Sequence, residues 1–203
     1  MTKIELPAPK LHPSFIGAWS MQNAAVCDEI VAFFNSGAAQ QMVGVVGEGV
    51  MPSVKNSVDI TIEPNFLSKP EYGPFNSYLE ELQLCYEQYK IEWPFLTKFL
   101  EEVHVGAFTV QRYLEGGHFK GVHAERMGLG SSHRLLAWMT YLNDVESGGN
   151  TAFTHYGIEV TPKKGLTLIW PAEWTHAHFG DVVMKGEKYI ITGHFHLPPV
   201  PLK

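Results

Sequence analysis

A mainly β fold with helices gathered towards the N-terminal end is predicted by two features of the chain. Before residue 100 apolar side chains recur at helical spacing in two long stretches, and after His104 the chain turns to β-branched and aromatic runs separated by Gly, Pro and Asn turns. Helices first and strands later describe helices that buttress a β-sandwich or barrel. A chain of 203 residues, 45% of them hydrophobic and 18% charged, is long enough for one compact core. A single domain over residues 1–203 is expected, with 1–105 a helical and mixed support and 106–203 the β core.

Taken in order, residues 1–10 carry Pro and Lys and read as an N-terminal arm. Ala25, Val26, Ile30, Phe33 and Phe34 then mark the inner face of a helix over residues 21–35, and Ser36-Gly37 supplies its stop. Residues 43–50 are interrupted by Gly44, Gly47 and Gly49 and read as irregular. Val58, Ile60 and Ile62 alternate with Asp59, Thr61 and Glu63 as a half-buried strand does. A second helical period runs through Tyr78, Leu79, Leu82, Cys85, Tyr86 and Tyr89 over residues 75–93, and Pro94 opens a short third helix. Beyond these, strands are expected at 108–114, 134–143, 151–153, 166–170 and 188–195, with turns at 144–150 and 162–165.

Charge and composition exclude several classes of function. The formal net charge is -6, and no basic run or Arg-rich helix is present to follow a phosphate backbone, so nucleic acid is not an expected partner. No apolar run approaches the roughly 20 residues of a membrane helix, and residues 1–10 lack the basic-then-apolar order of a signal peptide. Cys27 and Cys85, both within helical stretches, read as buried free thiols of a reducing compartment. A cytoplasmic protein is the expectation.

Chemistry concentrates in His123 and Glu125, with a later histidine and Lys188. Two imidazoles and one carboxylate on one side of an ion form the facial triad of non-heme Fe(II) oxygenases, which leaves the opposite positions open. On an extended strand, side chains two apart share a face, so His123 and Glu125 can reach one ion while Ala124 points away. The pair fits equally well where a strand passes into the 126–132 loop. For the third ligand, spacing alone leaves His176 and His178 as competitors. Lys188 offers a cation suited to a dicarboxylate. Against this, the chain has ten histidines, and His12, His104, His118, His133, His155, His194 and His196 read as structural or surface residues.

The linked motifs from Phe108 onward resemble the prolyl-4-hydroxylase-like branch of the Fe(II)/2-oxoglutarate-dependent dioxygenase superfamily. They comprise Val110-Gln111-Arg112-Tyr113, Gly116-Gly117, His123-Ala124-Glu125, residues 138–144 and 148–153, Pro162 to Gly165, Trp170-Pro171-Ala172, His178-Phe179-Gly180 and residues 186–193. The resemblance implies a double-stranded β-helix, or jelly-roll, core buttressed by α-helices. It implies Fe(II) held by His123, Glu125 and His178, which favours His178 over His176, and 2-oxoglutarate as co-substrate. By position, Lys188 looks like the anchor of its distal carboxylate, with Tyr113, Tyr141 and Thr192 as hydrogen-bonding neighbours. Two departures stand out: Glu125 replaces the usual Asp, and His194 stands where relatives commonly carry Trp. The segment 55–59 is also similar to one in some bacterial and phage-type relatives.

What the resemblance implies functionally is an oxidoreductase that hydroxylates an unactivated C–H bond, with succinate and carbon dioxide as co-products. Its substrate would be a peptidyl proline, or a free amino acid or other small metabolite. A peptide groove would draw on exposed aromatics, for which Trp138, Trp170 and Trp174 are the candidates. Two other classes compete, a zinc-dependent hydrolase using the same ligands and a non-catalytic jelly-roll binding module.

Overall fold

The computed structural model describes residues 13–198 apart from 38, 48 and 101. The arm read at residues 1–10 and His12 lie outside the described residues.

Among the described residues the strands are β1 (Gly17–Ser20), β2 (Met42–Val43), β3 (Lys55–Asn56), β4 (Val58–Ile62), β5 (His104–Val105), β6 (Phe108–Tyr113), β7 (His118–His123), β8 (Arg134–Tyr141), β9 (Ser147–Gly148), β10 (Thr151–Phe153), β11 (Ile158–Val160), β12 (Leu166–Pro171), β13 (His178–Gly180), β14 (Val183–Lys185) and β15 (Lys188–His196). The helices are α1 (Ala25–Ser36), α2 (Gly73–Glu92) and α3 (Phe95–Phe99). An eight-stranded sheet runs β1-β12-β8-β15-β6-β4-β2, with β5 also on β15, and a five-stranded sheet runs β11-β10-β13-β7-β3. The small pair β14-β9 stands apart. The result is the jelly-roll expected, with its helices on the larger sheet.

Alternation along β15 shows why these residues form this layer structure. Tyr189, Ile191 and Phe195 join the core shared with the helices, whereas Lys188, Ile190, Thr192 and His194 line a cavity between the sheets. Aromatic contacts seal the helical side: Phe34 of α1 meets Tyr189 with ring centroids 5.5 Å apart, and Tyr86 of α2 meets Phe195 at 4.5 Å. One buried polar chain crosses this layer, as Thr140 Oγ1 lies 2.8 Å from the Tyr78 hydroxyl and 2.7 Å from Thr167 Oγ1. Helix α1 stops at Gly37, whose φ of 74° is a left-handed conformation that a side chain would disfavour.

The helical and long-strand expectations agree with these elements to within a few residues, and both cysteines are buried and free. Several short strands lie beyond the sequence expectation, among them β1, β7, β11, β13 and β14. Strand β1 extends the large sheet by pairing antiparallel with β12, Gly17 opposite Ile169. Residues before 106 therefore enter both sheets, through β1, β2, β4 and β5 in the larger and β3 in the smaller. No helix among the described residues is long and apolar enough to cross a membrane.

Candidate metal centre and co-substrate pocket

Strand β7 ends at His123, so Glu125 sits in the bend that follows rather than on the strand itself. Its backbone is fixed on both sides: the Arg126 N–H donates to the Ala172 carbonyl at 2.9 Å, and Arg134 Nη1 donates to the Glu125 carbonyl at 2.9 Å. His178 opens β13, which pairs with β7 so that His178 and His123 are direct cross-strand partners. His176, by contrast, sits in the preceding 3-10 turn, with Nε2 2.8 Å from the Ser14 carbonyl. The His178 ring is turned towards Glu125 and the His176 ring towards Ser14.

Both strand histidines are held in one tautomer. His123 Nδ1 lies 2.8 Å from the Gly121 carbonyl and His178 Nδ1 lies 2.9 Å from the His176 carbonyl. A carbonyl only accepts, so each Nδ1 carries the hydrogen and each Nε2 presents a lone pair. Those lone pairs face Glu125 Oε1, 3.8 Å from His123 Nε2 and 3.4 Å from His178 Nε2. Three acceptors turned towards one point repel one another unless a cation joins them.

The donor set fits such a cation. Bonds of about 2.1 Å at right angles put the donors of a facial triad about 3.0 Å apart. The separations of 3.8 and 3.4 Å from Oε1 are wider than this by less than about 1 Å, so the side chains need to draw in only slightly to share one ion, and one donor atom from each of the three residues lies within 4.8 Å of the others. Electrostatics agree. Burial, followed by the neighbouring His178, pushes His123 down to about 4, which leaves it neutral as a ligand must be. Among the described residues this is the only cluster of three or more such donors.

All three line one cavity of about 810 Å³ together with Lys188, Tyr113 and Thr192. Lys188 is 3% exposed; its Nζ donates to the Gly149 carbonyl at 2.9 Å and lies 4.7 Å from the centre of the Tyr113 ring. Burial pushes its ammonium down to about 8, with Asp181 acting in the opposite sense. Tyr113 lines the cavity, and its hydroxyl donates to Gln111 Oε1 at 2.5 Å. Thr192 also lines it, with its hydroxyl donating to the Trp138 carbonyl at 2.9 Å. Tyr141 does not line the cavity: its hydroxyl donates to Thr151 Oγ1 at 2.7 Å, and Thr151 is the residue that does.

Sequence reasoning passed over Gln111, Met139, Thr151 and Ile190 as site residues, all of which line the cavity. For Gln111 and Ile190 a signal existed, since each is two residues from a nominated neighbour on the same strand. Thr151 gave none. The aromatics nominated for a peptide groove divide: Trp138 and Trp170 are buried, whereas Trp174 is 69% exposed and meets the His155 ring edge-on. His194, read as structural, lies on the cavity wall with Nε2 2.7 Å from Glu125 Oε2.

Fold and site together give a jelly-roll with a candidate metal centre of the two-histidine, one-carboxylate type. A family model described as the 2OG-Fe(II) oxygenase superfamily matches residues 108–196, which contain the three donors and Lys188. Over those residues the chain is similar to that superfamily, whose metal and co-substrate are Fe(II) and 2-oxoglutarate. The prolyl 4-hydroxylase subunit alpha-1 of Gallus gallus is 31% identical over 75 residues, a match that takes in 34% of this chain but only 14% of that protein. A probable prolyl 4-hydroxylase 9 of Arabidopsis thaliana is 29% identical over 115 residues, covering 44% of this chain and 40% of the relative. Among solved structures, a viral collagen prolyl hydroxylase from Paramecium Bursaria Chlorella virus-1, in a 2OG complex, aligns with a TM-score of 0.66 at 18% identity, over 91% of this chain and 97% of that one. A Trichoplax adhaerens prolyl hydroxylase, in complex with a hypoxia inducible factor peptide fragment, aligns with a TM-score of 0.69 at 11% identity, over 90% and 84% of the two chains. These two structures share the fold.

Proposed function

We propose that the chain is an Fe(II)- and 2-oxoglutarate-dependent dioxygenase that hydroxylates an unactivated C–H bond, releasing succinate and carbon dioxide. Residues 1–203 would act as a single dioxygenase domain, with 106–203 as its jelly-roll core and 1–105 as support. The observation that carries this reading is the convergence of three lone-pair donors on the wall of a cavity that also holds a buried lysine ammonium.

His123, Glu125 and His178 would hold the metal. Fe(II) so bound supplies the redox chemistry of oxygen activation and C–H oxidation, which no side chain here can perform. The residues supply position. Lys188 offers a charge-assisted hydrogen bond to the distal carboxylate of 2-oxoglutarate. Thr151, fixed by the Tyr141 hydroxyl, presents its own oxygen on the same cavity wall, and the Tyr113 ring, Met139 and Ile190 exclude water around the carbon chain. Thr192, whose hydroxyl is committed to the Trp138 carbonyl, contributes mainly shape.

Val122 and Met127 line the cavity while 58% and 74% exposed, which marks the mouth by which the prime substrate enters. A peptidyl proline is the substrate class that similarity to prolyl 4-hydroxylases supports, and a free amino acid or small metabolite is of a size the same cavity accepts. The test is succinate formation by the iron-loaded protein with 2-oxoglutarate and oxygen, followed by NMR, with proline-containing peptides and free amino acids compared as prime substrates. Succinate that depends on both co-substrates and rises with one substrate class is expected. Turnover that needs neither oxygen nor 2-oxoglutarate would instead mark a hydrolase.

A further inference from the structure

We propose that His194 is a positioning residue for Glu125, holding one carboxylate oxygen so that only the other faces the metal. The inference rests on the metal-site reading above and concerns the two positions at which this chain departs from the usual pattern. Those departures touch each other: Glu125 Oε2 lies 2.7 Å from His194 Nε2, while Oε1 is turned towards His123 and His178.

Direction follows from donor chemistry. An ionised carboxylate only accepts, so a contact of 2.7 Å requires the hydrogen on His194 Nε2. A ring nitrogen that carries hydrogen has no lone pair for a metal, so His194 stands outside the ligand set. Arg134 reinforces the arrangement from the same side, with Nη1 2.9 Å from the Glu125 carbonyl and 3.8 Å from Oε2.

The need for this partner comes from side-chain length. Glutamate has one more rotatable bond than aspartate, so an unheld Glu125 carboxylate has more rotamers to lose on ligation and can swing both oxygens onto one ion. Tying Oε2 to β15 removes that freedom and limits the residue to a single ligand atom, which preserves the open positions that co-substrate and oxygen require. Lys188, Ile190, Thr192 and His194 share the cavity face of β15. One strand thus sets both the co-substrate anchor and the orientation of the metal carboxylate.

Co(II), which is stable in air, tests this on the apo-protein through its affinity and its visible absorption bands. His194→Phe should weaken Co(II) binding about 10- to 100-fold, the range for losing an outer hydrogen-bond partner, and should shift the bands as the carboxylate reorients. His194→Gln, which keeps a donor, should recover most of the affinity. Glu125→Asp is too short to reach the ring, so in that background His194→Phe should change affinity less than about twofold. His194→Asn, short of Oε2, serves as a second removal if phenylalanine disturbs folding. Equal losses with Glu125 intact and in the Glu125→Asp background, or no loss in either, overturn the proposal. If the unaltered protein binds Co(II) no better than His123→Ala, the metal-site reading has failed first and takes the inference with it.

Discussion

His123 and His178 are direct partners in the antiparallel β7–β13 ladder, and that single register places two candidate metal donors side by side. Side chains alternate between faces along a strand, so a slip of one residue would turn either histidine away from the other. The site is therefore built into strand pairing, and only Glu125 depends on a bend. Fixing a carboxylate at the end of a strand explains why its backbone carbonyl is gripped by Arg134.

Replacing the two neighbouring histidines should separate their roles. His178→Ala should weaken metal binding by more than about 100-fold, beyond the range for an outer partner. His176→Ala should leave metal binding nearly intact and lower stability by about 1 kcal/mol, because it removes the tie to Ser14. Metal titration and chemical denaturation of both variants check this.

Lys188 should impose opposite pH trends on stability and on co-substrate binding. Its folded-state value, about 8, lies below the ordinary 10.5, so folding disfavours the charged form. That handicap is complete below pH 8 and fades as pH rises from about 8 to 10.5, so the ligand-free protein gains stability from this group across that window. Lys188→Met should abolish the gain. Binding of 2-oxoglutarate needs the ammonium, so its affinity should fall above about pH 8 by up to about tenfold per unit. Lys188→Arg, which stays charged, should show a flat profile. Calorimetric titration at several pH values reads both.

Thr151 should matter more to 2-oxoglutarate than Tyr141 does. Thr151 lines the cavity, and Tyr141 reaches it only through the Thr151 hydroxyl. Thr151→Val should raise the co-substrate KM about 5- to 10-fold, as expected for losing one neutral hydrogen bond of about 1 kcal/mol. Tyr141→Phe should raise it less. Steady-state kinetics on the two variants decide the order.

In the layer between α2 and the large sheet, the Tyr78–Thr140–Thr167 chain should respond unequally to deletion. Thr140→Val strands a fully buried tyrosine hydroxyl and should cost about 1–3 kcal/mol. Tyr78→Phe leaves Thr140 and Thr167 bonded to each other and should cost about 1 kcal/mol or less. Urea unfolding midpoints measure the difference.

Legibility follows the length and regularity of the signal. Strand β15 is readable because Tyr189, Ile191 and Phe195 alternate with the opposite face over nine residues. Strand β7 is not, since His118, Lys120, Gly121 and His123 give it a polar, broken pattern, and β13 has only three residues. The choice of His178 over His176 comes from family resemblance, because spacing is blind to which ring a distant Ser14 carbonyl will claim. Family position nominates Tyr141 as a co-substrate contact, but its hydroxyl is bonded to Thr151, a packing outcome that no local pattern encodes. The contact between Glu125 and His194 joins positions 69 apart in the chain and is visible only once both sheets are in place.

His123, Glu125 and His178 must together bind Fe(II) with room for 2-oxoglutarate beside them. An anaerobic titration of the apo-protein with Fe(II) and then 2-oxoglutarate addresses this directly. A visible charge-transfer band that saturates at one equivalent of each, and is absent in His123→Ala, is the predicted result. Absence of the band with the folded protein and both ligands in excess would contradict the account.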